Sequence, residues 1–200
     1  MCSPSNSPLH PRTTLRRGGN SPGPNRPDAS GLLSIAVERD VTWRIESVPY
    51  TDPRARALRR ELDADLGARY DGFHGDEPEE RRRARARALA THADQIVATL
   101  IALVGDAPAG HVIVRRLGDQ WEVKRLIVLS AFRGRGIARG LMTAALEAAR
   151  DDGADRVILQ TGLQQPESMA LYASMGFTRI PVYEPYVETM PRSVCFARDV

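Results

Sequence analysis

The stretch FRGRGIARGLM, residues 132–142, constrains this chain more than any other. An apolar, branched run precedes it (WEVKRLIVL, 121–129), and an apolar-periodic segment follows (GIARGLMTAALEAARDDG, 136–153). It therefore reads as a turn from a strand into a helix. At such a turn the first N–H groups of the helix have no intrahelical partner and the helix dipole adds about half a positive charge, so the turn can cradle an anion. The P-loop pattern needs a lysine, and the loop has none. The dinucleotide pattern G-x-G-x-x-G fails at its third glycine, where Arg139 stands, and no ribose-binding acid ends the next strand.

The surrounding pattern is that of a mixed α/β domain. LSIAVERDVTWRIESV (33–48) reads as a strand. Asp52 followed by Pro53 is a helix start, and Ala55, Leu58, Leu62 and Leu66 form one apolar stripe beyond it. GFHGDEP reads as a loop and EERRRARARALATHA (79–93) as a second helix, whose acids Glu79 and Glu80 sit near Arg83 on a solvated face. A meander follows, with a strand at 95–106, a turn at APAG (107–110), a strand at 111–118, a tight turn at Asp119–Gln120, and the strand entering the glycine loop. The helix after the loop presents Ile137, Leu141, Ala144, Ala145 and Ala148 on one face. Then come a strand (DRVILQTG), a short helix (QPESMALYASMGF, Pro166 in its first turn and Gly176 at its end), and two closing strands, TRIPVY and SVCFARDV.

Composition narrows the function classes. Residues 1–30 contain six prolines and a net charge of +3, while residues 31–200 carry equal numbers of acidic and basic groups. The expected division is a disordered Pro/Ser/Arg-rich tail over 1–32 and a folded domain over 33–200. With a neutral domain, nucleic-acid binding through the tail is a minor alternative. No apolar run reaches the length of a membrane span, and no secretory signal is recognisable. Cys2 and Cys195 have neither disulfide-framework nor metal-ligand spacing, so a reducing, cytoplasmic setting and no metal are expected.

Three segments in order, WEVKRLIV, FRGRGIARGLM and QPESMALYASMGF, make residues 37–197 resemble the GNAT superfamily of N-acetyltransferases. Arg133, Gly136 and Ala138 meet the family's pyrophosphate pattern R/Q-x-x-G-x-G/A, and Leu171, Tyr172, Gly176 and Phe177 meet its L-Y-x-x-x-G-F ending. The resemblance implies a mostly antiparallel central sheet flanked by helices, with a splayed strand pair holding acyl-CoA. It implies transfer of an acetyl group from acetyl-CoA to a primary amine of a small molecule, amino acid or protein, by direct attack in a ternary complex. A longer acyl group and a non-catalytic acyl-CoA sensor stand as alternatives. Many relatives dimerise, so a homodimer is among the assemblies it suggests.

By the same resemblance, backbone groups of Ile127 and Val128 hold the pantetheine arm, and Arg133, Gly134, Arg135, Gly136, Ile137, Ala138 and Arg139 wrap the pyrophosphate. Glu122, eleven residues before Arg133, takes the place of the family's general base, with an ordinary pairing to Lys124 or Arg125 as its structural alternative. Tyr172 takes that of the acid protonating the coenzyme A thiolate. Gln165 stands where many relatives carry an asparagine, and Ser168 replaces an alanine; both are candidate cofactor contacts. His74, Tyr183, Glu184 and Tyr186 are candidates to orient the amine. His111, Trp43 and Trp121 read as structural.

Overall fold

In a computed structural model, residues 42–73, 75 and 77–200 are described. The expected tail, the first part of the 33–48 strand and His74 lie outside them. Seven strands form one sheet in the order β1-β2-β3-β4-β5-β7-β6. They are β1 (Trp43–Ser47), β2 (Ile96–Val104), β3 (Ala107–Leu117), β4 (Gln120–Val128), β5 (Arg156–Thr161), β6 (Thr178–Ile180) and β7 (Val194–Asp199). Every neighbouring pair is antiparallel except β4–β5. The helices are α1 (Pro53–Arg69), α2 (Glu79–Leu89), α3 (Ile137–Asp151), α4 (Pro166–Ser174) and α5 (Tyr186–Thr189). Among the described residues, no helix is long and apolar enough to cross a membrane.

Local chemistry sets these elements. Asp52 caps α1 by accepting from the Arg54 N–H at 2.8 Å, with Pro53 at the first helical position. The α1 stripe buries Ala55, Leu58 and Leu62 against Ile101, Leu103 and Ile127 on one face of the sheet. α3 packs on the other face through Ile137, Leu141, Met142, Ala145, Leu146 and Ala149. Each fully buried Leu or Ile there contributes about 1.5–3 kcal/mol. This stripe is rotated from the expected one, because Met142, Leu146 and Ala149 carry the packing and Ala148 stays half-exposed.

Several expected boundaries move. The β2–β3 turn is Gly105–Asp106, with Gly105 at φ 58°, so the APAG segment lies inside β3. The β3–β4 turn is Gly118–Asp119, since Leu117 pairs with Gln120 and Gly118 takes φ 63°. α2 ends at Leu89, ahead of a single 3₁₀ turn at Ala93–Gln95. β6 is only Thr178–Ile180, and α5 interrupts the segment before β7.

Two irregularities create an opening in the sheet. β4 and β5 pair only from Trp121↔Val157 to Val123↔Leu159, after which β4 runs on to Val128 and β5 to Thr161 without pairing to each other. This is the expected splay. Just past it, β4 carries an extra residue: His111 faces Ile127 but Ile113 faces Lys124. Arg125 takes φ 59° in that bulge, a conformation costing a non-glycine residue about 1–2 kcal/mol.

Candidate functional site

The glycine loop sits beyond the C-terminal end of β4. Gly134 and Gly136 both adopt φ 78°, open to non-glycine residues only with strain. The backbone N–H groups from Gly134 to Arg139 have no partner among the described residues; helix bonding resumes with the Gly140 N–H on the Gly136 carbonyl. A Cβ built at Gly134 or Gly136 would meet nothing within 4 Å, so the side-chain positions of these two glycines are open. Ile137 buries its side chain in the core, so only its backbone remains at the loop. The arginine side chains turn to local partners. Arg133 donates to the Val128 carbonyl at 3.0 Å, Arg135 to the Ala131 carbonyl at 3.4 Å, and Arg139 to the Ser174 hydroxyl at 2.8 Å. The cradle is therefore main-chain, with positive charge at its rim.

Trp43 braces this loop. Its ring lies where a Cβ on Gly140 would fall, 2.2 Å from the nearest ring atom. Its indole N–H donates to the Arg135 carbonyl at 3.0 Å. Trp121 serves the surface instead, donating to Asp152 at 2.8 Å beneath the Arg116 guanidinium.

From the loop, the gap between β4 and β5 leads to a buried polar cluster. Glu122 has no exposed surface. One of its carboxylate oxygens accepts from Arg115 Nε at 2.7 Å; the other accepts from the hydroxyls of Tyr186 at 2.7 Å and Tyr183 at 2.9 Å. Its nearer charge partner is Arg115, on the facing strand, with Lys124 at the limit of an ion pair. Arg125 turns away to Asp63, and Lys124 Nζ stands 3.9 Å off, donating instead to the Tyr186 hydroxyl. Burial, with the Glu122 charge second, pushes both tyrosine hydroxyls far up from their ordinary range, so they remain hydrogen-bond donors. Burial lowers the Lys124 ammonium to about 8. Of the residues expected to orient an amine, Tyr183 and Tyr186 join this cluster, while Glu184 is exposed.

Tyr172 lies on the opposite, α3 side of the sheet, 6% exposed, beside the rings of Phe177 and Phe196. Burial pushes its hydroxyl up to about 12, partly offset by the Ser168 hydroxyl. Gln165 stands at the N-cap position of α4 without a side-chain capping bond, and its amide donates to the Tyr70 hydroxyl at 3.4 Å. Cys195, remote in sequence, is buried near Tyr183; burial raises its thiol and keeps it protonated. A groove of ≈ 560 Å³ runs along α1 and the end of β4, lined by residues including Arg54, Leu58, Glu61, Asp65, Ile127 and Arg133. A second cavity of ≈ 410 Å³ opens behind Arg115, between α2 and α5. Among the described residues, no cluster of side chains could hold a metal ion.

His111 pins the bulge. Arg59 donates to its Nε2 at 3.2 Å, which leaves Nδ1 to donate to the Arg125 carbonyl at 2.9 Å. Burial drives its pKa down from 6.5 to about 4. In acid the unfolded chain binds a proton that the fold refuses, so stability falls as pH drops from about 6.5 to about 4, by up to about 3 kcal/mol. Urea midpoints measured across that window should show the slope, and a His111→Gln variant should flatten it.

The sequence profile described as the Acetyltransferase (GNAT) family matches residues 55–177. Rat N-acetyltransferase 8 is 42% identical over 92 residues, which is 46% of this chain and 38% of that protein. Mouse N-acetyltransferase 8 is 33% identical over 138 residues, 68% of this chain and 53% of that protein. The chain thus spans about half or less of these relatives' length. Among solved structures, the PaiA N-acetyltransferase of Thermoplasma acidophilum, in complex with coenzyme A, superposes with a TM-score of 0.57 at 14% identity, covering 80% of this chain and 99% of that one. At that identity the likeness concerns the fold.

Proposed function

Since the chain belongs to the acetyltransferase (GNAT) family, we propose that it moves an acetyl group from acetyl-CoA to a primary amine by direct attack within a ternary complex. The observation that carries this reading is the run of N–H groups from Gly134 to Arg139, without partners among the described residues, at the mouth of the β4–β5 gap. A diphosphate held there directs an extended thiol arm down the gap, along the stretch of β4 at Ile127 and Val128 that does not pair with β5. The thioester then arrives beside the Glu122 cluster. The sealed, protonated Cys195 supports attack by the amine itself rather than through a cysteine acyl-enzyme.

In this reading Glu122 acts on the amine's proton through the hydroxyls of Tyr183 and Tyr186, since both its oxygens are engaged. Tyr172, protonated up to about 12, supplies the proton that the coenzyme A thiolate takes. The acceptor is an amine-bearing small molecule, amino acid or protein. The protein works with acetyl-CoA and no metal, and with neither nucleic acid nor membrane as partner.

Calorimetry with acetyl-CoA, followed by thiol release against a panel of amines, tests the assignment. Heat of binding with amine-dependent release is expected; absence of heat removes it, and heat without release leaves a coenzyme A sensor. Tyr172→Phe should lower turnover about 10- to 100-fold while acetyl-CoA affinity holds within about twofold. Intact turnover in that variant would remove Tyr172 as the acid.

A further inference from the structure

Lys124 is the only lysine in the chain, and it is buried. It is the first β4 residue beyond the last β4–β5 pair, Val123↔Leu159, and so stands at the apex of the gap. Val123 packs with α3; Lys124, next in the strand, points to the opposite face. There Nζ meets the Tyr186 hydroxyl and lies 3.9 Å from Glu122. Among the described residues, the cluster holds two cations, Arg115 and Lys124, against the single carboxylate of Glu122. Buried charge of one sign in excess is costly, and losing the Lys124 proton is the way to remove it.

Resting on the acetyl-CoA reading above, we propose that Lys124 is itself an acetyl acceptor, modified by the protein's own bound acetyl-CoA when no amine substrate is present. From Val128 to Lys124 the bulged strand runs alongside Gly110 to Ile113 of β3, roughly 10 Å, so a thiol arm anchored at the glycine loop and laid along β4 brings its carbonyl toward this nitrogen. α3 closes the other face, so a nucleophile attacks from the side on which Lys124 lies. The neutral Nζ attacks the thioester carbonyl. A C–N bond forms, the C–S bond breaks, and the nitrogen's proton ends on the coenzyme A sulfur. The products are an acetyl-lysine amide and free coenzyme A, with no further reactant. Burial, the Glu122 carboxylate and the neighbouring cations Arg115 and Arg125 together leave the Lys124 pKa at about 8, so a neutral fraction exists at mildly alkaline pH. Acetylation would neutralise the excess charge and fill the place where a substrate amine docks, so the modification limits itself to one event and lowers turnover.

The test is peptide mapping of the full chain after incubation with acetyl-CoA alone at pH 8, alongside calorimetry of acetyl-CoA binding. Trypsin cuts after unmodified Lys124 but not after acetyl-lysine. The expected result is the peptide ending at Arg125, heavier by about 42 Da and stable to hydroxylamine, as an amide is and a thioester on Cys195 is not. The mark should fall at least tenfold in a Gly136→Val protein and in protein unfolded in urea. Binding heat with an unmodified Lys124 peptide overturns the proposal and leaves the acetyltransferase reading standing. Equal labelling in folded and unfolded protein also overturns it, as chemical acetylation. Absence of binding heat removes both.

Discussion

Glu122→Ala is expected to lower the unfolding free energy by about 3–5 kcal/mol, among the largest losses available in this chain. Arg115 is 3% exposed, and its Nε donates to Glu122. Removing the carboxylate leaves that guanidinium buried without its counter-charge, and it strips the acceptor from the hydroxyls of Tyr183 and Tyr186. The remaining bonds of Arg115, to the Ala90 carbonyl at 2.7 Å and the Tyr186 hydroxyl at 3.2 Å, carry no negative charge. Urea unfolding at pH 7 measures the cost. Glu122→Gln should recover part of it, since the amide keeps the shape and its oxygen accepts from Arg115, but its NH2 then meets the tyrosine hydroxyls and no negative charge offsets the guanidinium. A loss below about 1 kcal/mol for the alanine variant would show that the cluster relaxes and that the pairing does not hold the fold.

Gly136→Val should weaken acetyl-CoA binding by about 100-fold, near 2.7 kcal/mol. Two effects combine. Gly136 sits at φ 78°, where a β-branched residue is strained. A side chain there also stands over the N–H groups that the diphosphate must reach. Calorimetry reads the affinity. Gly153→Ala supplies the control: Gly153 also has positive φ, 92°, but lies past the far end of α3. Its substitution should cost comparable stability and leave acetyl-CoA affinity unchanged. A Gly136→Val protein that bound normally would mean that the ligand is held elsewhere.

What the sequence disclosed was local or repeated over several residues. Asp52–Pro53 announced α1 because a cap and a fixed φ act within one turn. The glycine loop was legible because its amide geometry depends on neighbours in the chain. The partner of Glu122 was not. A turn placed at Asp119–Gln120 sets Glu122 opposite Leu117; the turn at Gly118–Asp119 sets it opposite Arg115. Moving the turn by one residue shifts the partner by two, and that decides whether a buried carboxylate faces an isobutyl group or a guanidinium. The signal was Gly118, which supplies the positive φ that the turn requires. Tyr186 was visible as a candidate, but α5 was not, because four residues carry no periodicity. The Arg125 bulge left no mark either, since a strand with one extra residue keeps its composition.

The indole of Trp43 joins the edge strand to the anion loop ninety-two positions later. On the proposed acetyl-CoA reading, coenzyme affinity has a remote determinant. A chain trimmed short of that tryptophan, or one in which its strand peels from the sheet, would retain every residue of the phosphate pattern and still hold its ligand loosely.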